Sequence, residues 1–343
     1  MTIAPIISPT LHALFSAVGL VAFSGFLISI VNQVILYLRP SRLAIYAHKS
    51  KSGEDPWAMV TGASRGIGYA IACELATCGF NVVLHGRDDE KMSRVASELQ
   101  MVFPSRSFRV IIADAEAVAC KTHLVASKQP GGSRLAALDF DAIQQELQDI
   151  HLTILINNAG GGLANPTFIP LTEASEERVT GNVSLNALFP LHLTRALLPT
   201  LIRHAPSLVI NISSMADQGF PLLVSYGASK AFLMTATRAL RLEMEMEGLG
   251  NSVELLGVRL GKVTGAGGCT EPASIFVPTA ETMAKATLAR AGYANGIVAG
   301  YWGHALQQAV RSPFLFLPQW VWDSIIVAVM RRERENYDGV KRQ

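Results

Sequence analysis

The stretch VTGASRGIGYAIACELA, residues 60–76, decides the fold, because a short apolar run enters a glycine-rich turn that leads directly into an amphipathic helix pattern. Gly62, Gly66 and Gly68 permit a tight turn and the close approach of a pyrophosphate, whose charge meets the free N–H groups at the helix start. A plain strand-turn-helix connection is the alternative, but this order of strand, glycines and helix favours a dinucleotide site. The sequence therefore predicts a nucleotide-binding βαβ unit in this part of the chain.

Outward from this stretch, aliphatic runs alternate with helical patterns as far as VELLGVRL at residues 253–260. Strands that alternate with helices of about ten or more residues are typical of parallel βαβ units. We therefore predict an α/β fold, a doubly wound parallel-sheet Rossmann fold, with an N-terminal transmembrane helix and an apolar C-terminal extension. A polar segment near residues 120–135 interrupts the alternation and is predicted to be a surface insertion.

The composition limits the classes of function. The chain has 343 residues, half of them hydrophobic, and a formal net charge of +2 with 16% charged residues. These values argue against a nucleic-acid surface and against disorder, both of which need a strong charge bias. The four cysteines show neither C-x-x-C spacing nor a histidine partner at the spacing of zinc ligands, so we expect no disulfide framework and no metal site.

The amino terminus predicts a membrane anchor. Residues 1–38 contain no Asp, Glu, Lys or Arg, and the mostly apolar run at 11–38 exceeds the ~20 residues that a bilayer-spanning helix requires. A cleaved signal peptide is the alternative, but it would begin with a basic region, and no basic residue precedes this run. Because basic residues follow it, the positive-inside rule places the rest of the chain on the cytosolic side. These basic residues are Arg39, Arg42, Lys49 and Lys51.

The carboxyl-terminal segment is also apolar. Residues 313–330, PFLFLPQWVWDSIIVAVM, precede the charged run RRERE, and Pro318 and Asp323 interrupt them too much for a second membrane span. Two alternatives are open: an amphipathic helix that docks on the membrane interface, or a terminal helix that packs on the core of the protein.

The end of the second predicted strand, LHGRDD, bears on the choice of dinucleotide. An NAD site would offer an acid to the ribose 2′-hydroxyl about twenty residues after the glycine turn, but Gly86 stands at that position and Arg87 follows it. Arg65 in the glycine turn can reach the 2′-phosphate of NADP, and two guanidinium groups suit a phosphate through forked hydrogen bonds. Asp88 and Asp89 are predicted to begin the next helix, where acids favour the dipole. We therefore predict NADPH/NADP as the cofactor.

The stretch SYGASK, residues 225–230, predicts acid–base chemistry. Tyr226 and Lys230 lie one helical turn apart on the same face. Because a tyrosine with a pKa of ~10 takes little part in proton transfer at neutral pH, a nearby positive charge must favour its phenolate, and Lys230 is placed to supply that charge. Two residues that share a solvated helix face by chance are the alternative. We predict that Tyr226 is a general acid and Lys230 its electrostatic helper.

The glycine stretch TGASRGIG, the run NNAG at residues 157–160 and the Tyr-Lys pair together resemble the short-chain dehydrogenase/reductase family over most of residues 57–265. The resemblance implies that Lys230 also holds the nicotinamide ribose, and that Asn186, rather than Asn182 one turn earlier, completes a proton relay through a bound water. It further implies a set of cofactor-binding residues, which comprises Thr61, Gly62, Ser64, Arg65, Gly66, Ile67, Gly68, Arg87, Asp114, Asn158, Ala159, Gly160, Tyr226, Lys230 and Val263.

The family also has a serine that donates a hydrogen bond to the substrate oxygen. Alignment to the strand motif gives Ser214, whereas the family's usual distance to the tyrosine gives Ser213; we assign the role to Ser214 and keep Ser213 as the alternative. The sequence departs from the family where Leu260 replaces a proline, so we expect an altered grip on the cofactor. The glycine-rich continuation at 265–268 is either a mobile substrate flap or a plain loop.

The apolar anchor, the run GFNVVLHGR and the tail LPQWVWDSIIVAVMRRERENY narrow the resemblance to the membrane-bound group of 17β-hydroxysteroid dehydrogenase type 12 and very-long-chain 3-oxoacyl-CoA reductases. This implies an enzyme of the endoplasmic-reticulum membrane, facing the cytosol. It would use NADPH to reduce a ketone to a secondary alcohol on a lipophilic substrate, a 3-oxoacyl-CoA or a steroid-like ketone. The domains are then an anchor and basic linker at 1–52, a Rossmann-type reductase domain at 53–312 and an apolar tail at 313–343.

Two other functions are open. The loop between the serine and Tyr226 is one residue shorter than is usual in the family. This short serine loop and the missing proline suggest a tailoring ketoreductase or dehydrogenase of a specialised polyketide or terpenoid pathway. A catalytically inactive nucleotide-binding scaffold is the third hypothesis. A scaffold has no reason to keep Tyr226, Lys230 and Asn186 together, which argues against it. As partners we expect the lipophilic substrate and the membrane, with a homodimer left open, and no nucleic acid.

Overall fold

The computed structural model describes residues 9–118, 138–161, 167–267, 269–294, 296–309 and 318–341. The chain divides into two units, Met1–Pro40 and Ser41–Gln343. The insertion predicted near residues 120–135 lies outside the described residues.

The first unit is formed by the long helix α1 (Pro9–Leu38), which is built almost entirely from apolar residues. Its segment Ala13–Leu38 has a mean hydropathy of 2.3 and no buried share in its apolar window, so by length and composition it can cross a bilayer. The segment Glu176–Arg203 of the second unit passes the same test, but 56% of its window is buried, as in a core helix. The membrane anchor at α1 stays a prediction.

The second unit is built on a seven-stranded sheet whose paired strands are parallel. The strands are β1 (Pro56–Thr61), β2 (Asn81–Gly86), β3 (Phe108–Ile112), β4 (His151–Asn157), β5 (Ser207–Ser214), β6 (Val253–Leu260) and β7 (Ile297–Ala299). They lie in the order β3-β2-β1-β4-β5-β6-β7, so the direction of winding reverses between β1 and β4, where open α/β sheets bind their ligands. The predicted doubly wound parallel fold is confirmed.

Helices cover both faces of this sheet. They are α2 (Gly66–Thr77), α3 (Asp89–Val102), α4 (Phe140–Glu146), α5 (Glu176–Val183), α6 (Phe189–Arg203), α7 (Val224–Met246), α8 (Ala280–Leu288), α9 (Trp302–Ala309) and α10 (Gln319–Lys341). The first core lies where α2, α3 and α8 pack on the sheet, and it contains the fully buried Ile71 and Met283. The second core joins α4 and α6 to the opposite face. Because strand side chains alternate between faces, Val60 belongs to the first core and Met59 to the second.

The start of the second unit, within the anchor and basic linker predicted at 1–52, contains a short turn that packs on the domain. A 3₁₀ turn at Leu43–Tyr46 buries both of its end residues. The Tyr46 hydroxyl donates to the Glu254 carboxylate, and the Tyr46 carbonyl accepts a hydrogen bond of 2.8 Å from Thr153. The first residues of this unit, which the sequence assigned to the linker, therefore pack on the reductase domain.

The carboxyl-terminal helix α10 has two different halves. In its first half Trp320, Ile325 and Val329 are exposed. Further along, Met330 is buried and Tyr337 contacts the segment that follows β4. The second half of the helix therefore packs on the protein, which was one of the two alternatives. The apolar side chains of the first half are exposed, and membrane docking of this half stays a prediction.

Candidate active site

The glycine turn after β1 is shaped by close main-chain contact. Gly62 and Gly66 have φ angles of +67° and +58°, which favour glycine. A Cβ atom on Gly68 would lie 2.2 Å from the carbonyl oxygen of Gly62, so no other side chain fits where α2 begins. The turn therefore keeps the shape that brings a pyrophosphate against the start of a helix. Between these glycines lie the other predicted cofactor residues of the turn, Ser64, Arg65 and Ile67.

The ends of β1 and β4 are tied together by the side chains of Thr61 and Asn158. The Thr61 hydroxyl accepts hydrogen bonds of 2.9 Å from the main-chain N–H groups of Asn158 and Ala159. In return, the Asn158 side-chain amide donates to the Thr61 carbonyl over 2.9 Å. Thr61 is buried. Thr61 and Asn158, which the sequence predicts to bind cofactor, therefore hold the two main-chain turns of the site together.

Beyond β2, Arg87 forms an ion pair of 2.8 Å with Glu116, a partner that sequence reasoning missed. Asp114, one of the predicted cofactor-binding residues, is exposed, and its carboxylate accepts the N–H of Glu116 over 3.0 Å. Asp88 caps α3 by accepting the N–H of Lys91 over 3.0 Å, so the acids of LHGRDD begin the helix as predicted. Arg87 and Asp114 are thus linked through Glu116 at the carboxyl edge of the sheet.

Gly86, at the end of β2, packs closely against Met92 of α3. A Cβ atom on Gly86 would lie 2.5 Å from the sulfur of Met92, and Met92 is fully buried. An acid at this position would have to displace Met92, because close-packed cores do not absorb added atoms without strain. The packing therefore favours a site that lacks the ribose-binding acid of NAD enzymes.

Helix α7 brings Tyr226 and Lys230 into the interior. Lys230 is 3% exposed, and its ammonium donates a hydrogen bond of 2.8 Å to the carbonyl of Ile212. Burial lowers the pKa of Lys230 from 10.5 to about 8. Burial also raises the pKa of the Tyr226 phenol, while a hydrogen bond to Ser214 opposes this shift and the charge of Asp217 adds to it. Lys230 is therefore removed from water and held beside β5, whereas Tyr226 is only partly buried.

The two serines at the end of β5 have different neighbours. Ser214 lies close enough to the Tyr226 phenol to lower its pKa, and its hydroxyl accepts the N–H of Ala216 over 3.2 Å. The Ser213 hydroxyl donates to the Lys230 carbonyl over 3.3 Å. The structure thus brings Ser214 to the phenol and directs Ser213 to the main chain of α7.

Asn186 lies in a short π-helix, Ser184–Leu188, between α5 and α6. Its fully buried side chain brackets Gly161, because Oδ1 accepts the N–H over 3.0 Å and Nδ2 donates to the carbonyl over 3.1 Å. A Cβ atom on Gly160 would lie 2.8 Å from both Asn186 Oδ1 and Lys230 Nζ. Asn182 instead donates to the Ser225 hydroxyl. The side chains of Asn186 and Lys230 therefore both lie at the Gly160–Gly161 turn, whereas the side chain of Asn182 contacts Ser225 instead.

An ion pair beside the serine turn, in which the carboxylate is buried and the arginine is partly exposed, was not predicted. Asp217, in the 3₁₀ turn Met215–Gln218, accepts a hydrogen bond of 2.6 Å from Arg259 of β6, and its side chain is 1% exposed. Burial raises the pKa of Asp217, and the hydrogen bond and charge of Arg259 oppose that shift. The signal that could have found the pair is the arginine inside the aliphatic run VELLGVRL, because a charge in a largely buried strand needs a partner. The pair fixes the turn that follows Ser214.

His304 of α9 holds the turn in which Leu260 replaces the family's proline. Its Nδ1 accepts the N–H of Gly261 over 3.1 Å, and its Nε2 lies 3.1 Å from the carbonyl of Lys262, so a neutral ring protonated at Nε2 satisfies both. Burial lowers the pKa of His304 and favours this neutral form. The predicted cofactor residue Val263 follows directly and is buried. Two hydrogen bonds to His304 therefore fix this turn without a proline.

Two asparagines inside the strands link α6 to α7. Asn157 donates to the Thr194 hydroxyl over 2.9 Å and to the Asn211 side-chain oxygen over 2.7 Å. Asn211 in turn donates to the Thr237 hydroxyl over 2.8 Å. This buried chain of hydrogen bonds crosses β4 and β5, and it fixes the helix that carries Tyr226 against the helix that follows the π-helical turn.

Comparison with known proteins decides the family, because residues 56–266 match the short chain dehydrogenase family. The chain belongs to this family. Its members are oxidoreductases, so the predicted enzyme class is confirmed together with the predicted family and fold.

Several known proteins resemble the chain in sequence or in structure. The very-long-chain 3-oxoacyl-CoA reductase of Phaeosphaeria nodorum is 28% identical over 314 residues, which cover 88% of this chain and 83% of that protein. Hydroxysteroid dehydrogenase-like protein 1 of Gallus gallus is 28% identical over 267 residues, which cover 78% of this chain and 73% of that protein. A metagenomic short-chain oxidoreductase, solved in complex with NADP, is 26% identical with a TM-score of 0.53, covering 71% of this chain and 96% of its own. That structure holds the cofactor that the sequence of this short-chain dehydrogenase predicts.

Proposed function

We propose that the chain is an NADPH-dependent reductase that converts a ketone on a lipophilic substrate into a secondary alcohol. The observation that carries the proposal is the buried Lys230, which is held at the end of β5 one helical turn from Tyr226, with Ser214 beside the phenol. A proton donor, a second hydrogen-bond donor and a fixed positive charge are the groups that stabilise the negative charge growing on a carbonyl oxygen during reduction. These three side chains meet at the carboxyl end of β5.

The surroundings of the glycine turn fit a dinucleotide with a 2′-phosphate. Gly68 leaves space for main-chain atoms only, and the packing of Met92 disfavours an acid at position 86. Arg65 and Arg87 are exposed at this edge. The exposed ion pair of Arg87 with Glu116 contributes at most about 1 kcal/mol, so a phosphate, which binds guanidinium through stronger charge-assisted hydrogen bonds, can compete for it.

In the mechanism, bound NADPH supplies the hydride that reduces the carbonyl carbon. Because burial raises the pKa of Tyr226, the phenol keeps its proton at neutral pH and can donate it to the carbonyl oxygen. Ser214 donates a hydrogen bond to the same oxygen. Lys230, with a pKa of about 8, is mostly ammonium at neutral pH and stabilises the resulting phenolate. A proton from solvent then restores Tyr226, so ketone, NADPH and one proton give alcohol and NADP⁺.

For the substrate we propose a 3-oxoacyl-CoA or a steroid-like ketone. The relatives named very-long-chain 3-oxoacyl-CoA reductase and hydroxysteroid dehydrogenase-like protein 1 support this class. Helix α1, which by length and composition can cross a bilayer, supports a membrane location, where lipophilic substrates accumulate. We propose the endoplasmic-reticulum membrane with the catalytic domain facing the cytosol, since basic residues follow α1.

The other two hypotheses have less support. The tailoring-enzyme hypothesis depends on the missing proline and the short serine loop, yet His304 fixes the turn at Leu260 and Ser214 meets Tyr226 across the short loop. A nucleotide-binding scaffold has no use for a buried Lys230, since burying an ammonium costs free energy.

Turnover by the full-length protein in detergent micelles tests the proposal. We expect loss of NADPH absorbance with a long-chain 3-oxoacyl-CoA or a steroid ketone, and a slower reaction with NADH or with polyketide-like ketones. Ser214→Ala should lower kcat by about 100-fold, the usual effect of losing one donor to the oxyanion, while the matched Ser213→Ala should keep most of its turnover. Undiminished turnover in Tyr226→Phe, or no NADPH oxidation with any ketone, would contradict the proposal.

A further inference from the structure

The second half of α10 contacts the segment that follows β4. The Tyr337 hydroxyl accepts a hydrogen bond of 3.2 Å from the N–H of Thr167. The Tyr337 ring also packs edge-on against Phe168, with ring centroids 5.7 Å apart. Ile169, the next residue, lines a small cavity together with Tyr226. This contact of α10 therefore adjoins the catalytic tyrosine through one short segment.

One helical turn earlier on α10, Glu333 contacts the segment that follows β6. Its carboxylate forms an ion pair of 2.6 Å with Lys262, which also binds the carboxylate of Glu271. Burial would lower the pKa of Lys262, but the hydrogen bonds to the two acids raise it above its usual value, so Lys262 stays charged and holds both partners. A Cβ atom on Gly66 would touch Ala266, so the same segment also adjoins the cofactor turn.

These two segments follow the two strands that flank β5. In the sheet, β4 and β6 flank β5, whose last residue is Ser214, and two strands in those positions are about 10 Å apart. Glu333 and Tyr337 are separated by about 6 Å along the helix axis. Their side chains extend far enough to span the rest of the distance between the two segments. Helix α10 therefore joins the segment that follows β4 to the segment that follows β6.

We propose that α10 is a cover over the substrate cleft, and that Glu333 and Tyr337 determine how firmly a long lipophilic substrate is held. The inference rests on the proposed ketone reduction and assigns recognition of the hydrocarbon part of the substrate to this helix. Partly exposed ion pairs such as Glu333–Lys262 are weak, so the cover opens readily and admits substrate. Each methylene group that it then shields from water strengthens binding about fourfold.

The substitution Glu333→Lys tests the cover, because it sets two ammonium groups against each other at the Lys262 contact. Glu335→Lys is the matched control, since Glu335 is exposed on the same helix. We would measure KM with the full-length protein for a short and a long 3-oxoacyl-CoA, or for a small and a bulky ketone of the class that the parent prefers. We expect Glu333→Lys to raise KM about tenfold for the long substrate and less than about twofold for the short one, with kcat and the Kd for NADPH within about twofold of the parent.

An equal rise in KM for both substrates, or the same rise in Glu335→Lys, would overturn the proposal. Tyr337→Phe is a milder second variant that removes only the hydroxyl and should change KM in the same direction by a smaller factor. If the parent reduces no ketone, the proposed function fails. Hydrogen–deuterium exchange of the main-chain amides then tests by itself whether α10 covers the cleft. Glu333→Lys must speed exchange at residues 167–169 and 262–267, and unchanged exchange in both segments would refute the cover.

Discussion

Replacing Lys230 with methionine is expected to stabilise the protein and to abolish turnover at the same time. Burial lowers the pKa of Lys230 from 10.5 to about 8. A base whose pKa falls on folding is disfavoured in its charged form, by about 3 kcal/mol for a shift of this size at neutral pH. Methionine has a similar length and no charge, so it does not carry this cost.

The loss of one hydrogen bond reduces this gain in stability. The Lys230 ammonium donates to the Ile212 carbonyl over 2.8 Å, and its removal costs about 1–2 kcal/mol. The variant should therefore be about 1–2 kcal/mol more stable than the parent at about pH 6.5. Between the folded pKa of about 8 and the unfolded value of 10.5 the folded parent binds fewer protons than the unfolded chain, so its stability rises with pH. The advantage of the variant should shrink by about 2 kcal/mol between about pH 6.5 and about pH 9.5.

Chemical unfolding of the full-length, cofactor-free protein at these two pH values, followed by tryptophan fluorescence, measures both quantities. Lys230→Arg is the control that keeps the charge, and it should not be more stable than the parent. Ketone reduction by the same samples should be lost in Lys230→Met. The reasoning is refuted if Lys230→Met is less stable than the parent at about pH 6.5 and the difference does not change with pH.

Three further substitutions test separate parts of the site. Asp217→Asn removes a charge that raises the pKa of Tyr226, so the phenolate absorbance titration of Tyr226, taken as the difference from Tyr226→Phe, should move to lower pH; an unmoved titration would contradict this electrostatic effect. Gly68→Ala places a Cβ atom 2.2 Å from a carbonyl oxygen, and the overpacking cost of about 1–3 kcal/mol should weaken NADPH binding about tenfold or more in a fluorescence titration. Arg87→Ala should lower the preference for NADPH over NADH, measured as the ratio of their kcat/KM values, by about tenfold, and an unchanged ratio would exclude Arg87 from phosphate recognition.

Most of the sheet could be predicted because each long strand is a continuous aliphatic run. Strands of a parallel sheet are buried on both faces, so they stand out between turn residues. The strand β7 was missed, since the three residues Ile297–Ala299 are too short to show a pattern. The contact of Tyr46 with Glu254 was also beyond prediction, because it joins residues 208 positions apart.

The site was predictable where a local spacing defines it. Tyr226 and Lys230 share a helix face whatever else the chain does. Ser213 and Ser214 are neighbours on one strand, and their side chains point to opposite faces. The choice between them depends on where α7 packs, which the sequence does not contain in any local pattern.

The contacts that support the site were harder to foresee. Arg259 and Asp217 are 42 positions apart, and Gly261 and His304 are 43 positions apart. Each pair forms only because a loop returns to the carboxyl edge of the sheet. The sequence predicted an altered grip on the cofactor where Leu260 replaces the proline, because it does not show that His304 holds this turn.

The contact between Gly86 and Met92 limits how nucleotide preference can change by mutation. An acid at position 86, which an NAD-dependent descendant would need, brings its Cβ atom to 2.5 Å from the Met92 sulfur. Shortening Met92 first opens a hole in a fully buried position, at a cost of about 2–5 kcal/mol. A larger residue at position 86 therefore requires the flexible side chain of Met92 to shift within the core. Packing beneath the strand, and not only the groups that touch the nucleotide, thus bears on how nucleotide preference can change.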